Sequence, residues 1–138
     1  MTEYTLSIIK PDAVRNGHIG EVLRRFEING FRIRAMKMLH LSKAEAESFY
    51  SVHRERPFFG GLTDFMSSGP SVVLCLEGDE VITRLRQLVG ATNPVDAAFG
   101  TIRRELGSSV EQNAVHASDS AENARAELAF FFNALEIH

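Results

Sequence analysis

The run Val72-Val73-Leu74-Cys75-Leu76 constrains the fold more than any other stretch of the chain, because five consecutive apolar side chains leave no polar face for water. It is too short for a helix buried on all sides, and it is rich in branched residues, so residues 70–76 read as the central strand of a sheet. Other strand and helix signals flank it. Residues 4–10 carry Thr and Ile and are stopped by Pro11, which cannot donate to a ladder. Ile19, Val22, Leu23 and Phe26 recur at helical spacing, and Asn29-Gly30 is a stop signal. Phe31, Ile33 and Ala35 alternate with Arg32 and Arg34 as a half-buried strand does. The phase changes at Met36 and Met38, which predicts a bulge there or cover on both faces.

Ser42 and Glu45 have capping-box spacing, and Ala46, Phe49 and Tyr50 continue a helical stripe. Residues 57–65 restart as a second short helix. Asp79 is placed to cap a helix carrying Val81, Ile82, Leu85 and Leu88, which ends at Gly90. Residues 114–116 read as a last strand. Residues 121–134 read as a last helix, with Ala124, Leu128 and Phe131 on its inner face. Phe130-Phe131-Phe132 is too wide a stripe for one helix face and points to a subunit contact. The order β-α-β-αα-β-α-loop-β-α predicts an α+β fold, with helices on one face of a mostly antiparallel sheet. Residues 90–113 show little periodicity and read as a long functional loop before the last strand.

Size and charge narrow the function. The chain has 138 residues, expected to form a single domain spanning 1–138. Fifteen Lys+Arg against eighteen Asp+Glu give a net charge of −3, so stable binding to nucleic acid polymers is not expected, although a local basic pocket is compatible. No apolar run approaches the roughly 20 residues that span a bilayer, and Met1-Thr2-Glu3-Tyr4 is neither basic nor apolar. Cys75 is the sole cysteine, which excludes an intramolecular disulfide and suits a reducing cytoplasm. GxxxxGK[ST], GxGxxG, GxSxG and HExxH are all absent, so phosphate handling would rest on dispersed cations and backbone amides.

The densest polar cluster is Asn113-Ala114-Val115-His116-Ala117-Ser118-Asp119-Ser120, where a histidine ends a strand and cap formers open a helix. Neutral imidazole is a nucleophile at pH 7, and a helix start attracts anions, so His116 suits phosphoryl capture. Packing at a strand end beside a cap is the blander account of the same histidine. Lys10 closes the first strand, Arg86 precedes the long loop and Arg103 lies within it; each alone is an ordinary surface cation. The paired Phe58 and Phe59 at a helix start are compatible with one ring stacking on a base or with both in the core, and at least one is expected in the core. His18, His40, His53 and His138 show no ligand spacing, so they read as surface or structural residues and no protein-built metal site is expected.

Six blocks, taken in order, resemble the nucleoside diphosphate kinase family. They are Ile9-Lys10-Pro11-Asp12, Arg56-Pro57-Phe58-Phe59, Ser68-Gly69-Pro70, Gly90-Ala91-Thr92-Asn93-Pro94, Gly100-Thr101-Ile102-Arg103 and Asn113-Ala114-Val115-His116-Ala117-Ser118-Asp119. The resemblance covers essentially the whole chain. It implies a ferredoxin-like βαββαβ antiparallel sheet with covering helices. It also implies transfer of the γ-phosphate of a nucleoside triphosphate, mainly ATP, to a diphosphate through a phosphohistidine, with Mg²⁺ held on the nucleotide. On that resemblance His116 is the nucleophile. Lys10, Arg86, Thr92 and Arg103 hold phosphates, and Lys10 and Asn113 also reach the ribose. Phe58 stacks on the base, Leu62 and Val110 line its side of the cleft, and Tyr50 lies beside the phosphate path. Glu127 and Ser118 orient the histidine.

The family resemblance further implies broad base tolerance and a homo-oligomer built from dimers, a tetramer or a hexamer, with the end at His138 leaving out a C-terminal arm. Ala13 and Ala117 stand where the family often has glycine, and the turn at Ala117 is expected to be less tolerant for it. Two other classes fit a fold of this type: a non-catalytic RNA- or ligand-binding module, and a relay protein that passes phosphate from histidine to another protein. The acidic balance and the set Lys10, Arg103 and His116 weigh against the first. Rapid discharge of label to a free diphosphate would exclude the second.

Overall fold

Strand β1 (Thr2–Ile9) runs antiparallel to β3 (Ser71–Asp79) with Ile8 opposite Val73, and these two form the middle of a four-stranded sheet ordered β2-β3-β1-β4. The outer strands are β2 (Arg32–Leu39), paired with β3, and β4 (Val115–Ala117), paired with β1; every pairing is antiparallel. The computed structural model describes residues 2–138. Seven α-helices are set between and after the strands: α1 (Pro11–Arg15), α2 (Ile19–Ile28), α3 (Lys43–Phe49), α4 (Phe59–Met66), α5 (Val81–Val89), α6 (Ile102–Leu106) and α7 (Ala121–Phe131). This is the expected βαββαβ order, with the α3–α4 pair inserted between β2 and β3.

The helices cover both faces of the sheet, not one. Ile9, Leu74, Leu76 and Val115 face a core made with Val22 and Phe26 of α2 and Val81, Leu85 and Val89 of α5. Leu6, Ile8, Val73 and Cys75 face a second core made with Ala46 of α3, Met66 of α4, and Leu128 and Phe131 of α7. The alternation of β1 and β3 thus delivers apolar side chains to two layers, each buried Leu or Ile contributing about 1.5–3 kcal/mol. In β2 the register shifts between Ile33 and Ala35, earlier than Met36. That shift sends Ile33 to the first core and Ala35 to the second. Beyond it Met36 and Met38 are exposed on the sheet's edge strand instead of covered.

Local signals account for most element ends. Ser42 and Glu45 form a reciprocal capping box at α3. Asn29 closes α2 and is followed by Gly30 at φ +86°. The cap of α5 is Glu80, not Asp79, because β3 runs on through Asp79. Residues 90–113 are not a plain loop: they hold a 3₁₀ turn, Pro94–Asp96, and the helix α6, capped by Thr101. Helix α7 stops at Phe131, and Phe132 is extended. Ala13 is fully buried in α1, and Ala117 pairs with Ser7 in β4 with its side chain in the first core. Neither is among the residues of positive φ, so no glycine is required at either place and the expected intolerance at Ala117 has no basis in the backbone.

Candidate active site

The register of β1 against β4 puts Ile8 opposite His116, and Lys10 N–H donates to Ala114 O at 2.8 Å. His116, on the face of the second core, packs edge-on against Phe49 (centroids 5.7 Å apart) and Tyr50 (6.4 Å). Its Nε2 lies 2.8 Å from Glu127 Oε1, and Ser118 Oγ donates to that same oxygen at 2.7 Å. A carboxylate accepts and does not donate, so the contact places the imidazole hydrogen on Nε2 and the lone pair on Nδ1. Glu127 is delivered by α7, which buries Ala124, Leu128 and Phe131 and packs the last two in the second core against β1.

Three cations converge from distant parts of the chain. Lys10 Nζ donates to Asn113 Oδ1 at 2.9 Å and to Glu111 O at 3.1 Å, and Asn113 Nδ2 in turn donates to Thr92 O at 3.0 Å. Arg86 of α5 donates to Ala117 O at 3.1 Å. Arg103 of α6, only 7% exposed, donates to Gly90 O at 3.2 Å and to Val115 O at 2.9 Å. Gly90 is required here: at φ +92° an added Cβ would lie 2.6 Å from Thr101 Oγ1, and the turn seats α6.

Positive charge crowded into a buried place disfavours its own protonated forms. Burial and then Arg103 lower the Lys10 ammonium to about 8, with Asp12 and Glu111 pulling the other way. Burial and then Arg86 lower Arg103 to about 10. Burial, with Glu127 adding to it, pushes the Tyr50 hydroxyl up, so it stays protonated and able to donate. Among the described residues none of the three cations is held in a salt bridge, so the cleft suits an anion of high charge density.

These groups line one cleft of about 860 Å³, a size suited to a small-molecule ligand. On the same cleft wall Phe58 is 51% exposed, and Leu62 and Val110 also line the cleft, while Phe59 packs on the second core. Every residue expected at the site lies on this cleft except Ser118, which is buried and reaches it through Glu127. Phe130 also lines the cleft and Phe131 and Phe132 are buried, so the triple phenylalanine has a place within the subunit. His53 belongs here too, stacked beside Tyr50 and 5.4 Å from Phe58 by ring centroids, and not among the surface histidines. Its signal was position: three residues past Tyr50 in a 3₁₀ turn, Ser51–His53, and five before Phe58.

Comparison with known proteins shows the family of the chain. The family model described as nucleoside diphosphate kinase matches residues 3–137. The chain is 62% identical over 135 residues to a nucleoside diphosphate kinase of Chlamydia pneumoniae, covering 98% of this chain and 94% of that protein. It is 58% identical to one from Desulfosudis oleivorans, covering 98% and 97%. The crystal structure of the Aquifex aeolicus nucleoside diphosphate kinase superposes with a TM-score of 0.98 at 47% identity, covering 100% of both chains. Matched in this way by family model, by sequence and by fold over nearly its full length, the chain belongs to the nucleoside diphosphate kinase family and transfers phosphate between nucleotides.

Proposed function

We propose that transfer proceeds in two steps through a phosphohistidine on His116, from a nucleoside triphosphate, mainly ATP, to a nucleoside or deoxynucleoside diphosphate. The observation that carries this reading is the contact of His116 Nε2 with Glu127 at 2.8 Å, which leaves Nδ1 as the basic nitrogen in a cleft walled by cations. In the first step the Nδ1 lone pair forms a bond to the γ-phosphorus as the bond to the β,γ-bridging oxygen breaks, and its electron pair leaves on the diphosphate. In the second step a terminal β-phosphate oxygen of the acceptor attacks the same phosphorus and the N–P pair returns to Nδ1. Glu127 holds the ring and balances the charge it gains while phosphorylated.

Lys10, Arg86 and Arg103 stabilise charge on the transferring group and on the departing diphosphate. Thr92 and the Tyr50 hydroxyl add neutral donors, and Asn113, tied to Lys10, reaches the ribose with it. The base lies on Phe58 with Leu62 and Val110 beside it, an apolar seat that grips any base by its face. Broad base tolerance follows.

Mg²⁺ belongs to this reading as part of the nucleotide substrate, where it would neutralise phosphate charge. The donors present fit an ion carried in this way. Among the described residues no three His, Cys, Asp or Glu side chains are grouped to hold a metal, and Glu127 is already engaged with His116 and Ser118. Glu111 and Asp119 are the remaining carboxylates on the cleft wall.

A homo-oligomer built from dimers, a tetramer or hexamer, belongs to the same reading. What supports it is β2 at the sheet's edge with Met36 and Met38 exposed beside it. A cytoplasmic setting is supported by cysteine usage alone, since Cys75 has no second cysteine in the chain to pair with. Incubation with γ-labelled ATP, followed by addition of unlabelled GDP or UDP, tests the pathway: acid-labile label on the protein, discharged to the diphosphate, is the expected result.

A further inference from the structure

Ala114 sits at φ +75°, a conformation that only one other non-glycine residue, Glu80, shares among the described residues. The strain is local and specific. Val115 N–H donates to Asn113 O at 2.9 Å, which closes a three-residue turn with Ala114 at its centre. Turns of this form with a positive central φ are rare and cost energy for any residue with a Cβ. This one stands between two parts of the cleft: Asn113, which holds Lys10 Nζ at 2.9 Å, and His116, two residues further on in β4.

Both backbone groups of Ala114 are held from the same short segment. Its carbonyl accepts from Lys10 N–H at 2.8 Å, and its N–H donates to Asp12 Oδ2 at 3.1 Å. Asp12 is 2% exposed in α1, and its Oδ1 has no hydrogen-bond partner among the described residues. A buried carboxylate that spends one oxygen on one amide is an expensive way to build structure. In α1 it stands in the first turn, where a carboxylate suits the helix dipole and Lys10 makes no side-chain cap, yet its one hydrogen bond goes to Ala114 and not to the helix.

We propose that Asp12 is a positioning residue, whose carboxylate clamps the strained turn at 113–115 through the Ala114 amide and so holds Asn113 and His116 in one reactive geometry. Without the clamp, Ala114 relaxes to negative φ, and the peptide that aims Asn113 at Lys10 rotates with it. The carboxylate has a second effect on the same site, because its charge works against Arg103 to keep the proton on Lys10. The proposal rests on His116 being the group that is phosphorylated.

The test is a double-mutant cycle on Asp12 and Ala114, read as the rate of His116-dependent labelling from γ-labelled ATP well below each variant's melting temperature. Asp12→Ala is expected to slow labelling at least about tenfold, with kcat falling more than KM rises. Asp12→Asn, whose amide oxygen still accepts from Ala114 N–H, is expected to lose less. In an Ala114→Gly background, where positive φ costs little, removing Asp12 is expected to cost about a third as much or less. Asp12→Ser replaces the alanine variant if that one does not melt cooperatively. Labelling of Asp12→Ala within twofold of wild type, or an equal loss in both backgrounds, overturns the proposal and leaves the phosphohistidine reading intact. Wild type that takes no label dependent on His116 overturns both.

Discussion

Glu127 Oε1 accepts two hydrogen bonds at once, from His116 Nε2 at 2.8 Å and from Ser118 Oγ at 2.7 Å, so one carboxylate oxygen sets both the tautomer and the angle of the imidazole. The effect is on reactivity and not on nucleotide grip, since neither partner is among the cations of the cleft. Replacing Glu127 with alanine is expected to lower kcat by about 100-fold while KM moves within about threefold. Steady-state kinetics with ¹⁵N imidazole shifts, which report the tautomer, check both halves of that statement.

Lys10 gives the cleft a pH dependence whose sign is opposite to that of most surface lysines. Its ammonium sits at about 8 in the folded protein against 10.5 for the free side chain. Between those values the unfolded chain binds more protons, so this group makes the free protein more stable as pH rises through the window. Below about pH 8 the full cost, on the order of 3 kcal/mol, is carried by the fold. Bound phosphate supplies the missing counter-charge. The increase in melting temperature given by a nucleoside diphosphate is therefore expected to shrink between about pH 7 and about pH 9.5, and to be small throughout in Lys10→Met.

On the proposed reading Phe58 is the ring that takes the base; it is half uncovered and, among the described residues, its one ring contact is with His53. A base stacked there gains about 1–3 kcal/mol whatever its identity. Phe58→Ala is expected to raise KM by about 5- to 100-fold, equally for purine and pyrimidine diphosphates, with kcat little changed. A loss confined to one base would instead mean that an edge is being read.

Ala117 carries its side chain in a core between β4 and the helices, at an ordinary backbone angle. Restoring glycine there removes a buried methyl and frees the chain, so Ala117→Gly is expected to cost about 0.5–1 kcal/mol and to lower the melting temperature by a few degrees. No gain in turnover accompanies it. Thermal melts and initial rates on the same preparation decide the point.

What could be read from the sequence was what is encoded within a few residues. The capping box Ser42–Glu45, the stop at Asn29-Gly30 and the apolar run of β3 all act locally, and each lies where its signal put it. Helix α6 escaped because its five residues, Ile102–Leu106, are too few to show a period; the Thr101 cap was its one mark. Cover on both faces was legible in the apolar run of β3, which sends Leu74 and Leu76 to one core and Val73 and Cys75 to the other, although the element order suggested one covered face. The site divides in the same way. His116 with its cap formers stood out, whereas Glu127 looked like any solvated helix residue until α7 was docked on the sheet. The three cations, spread over residues 10 to 103, meet only through strand register and the seat that Gly90 gives α6.

The central claim is that a single imidazole carries the phosphate between two nucleotides. Its most direct test is mass spectrometry of the protein after brief exposure to ATP and Mg²⁺, with and without a chase of GDP, on wild type and His116→Ala. The account predicts one acid-labile phosphate on wild type, located on His116, absent from the variant and lost within the chase as GTP appears. Phosphate found elsewhere, or GTP formed at the wild-type rate by His116→Ala, would contradict it.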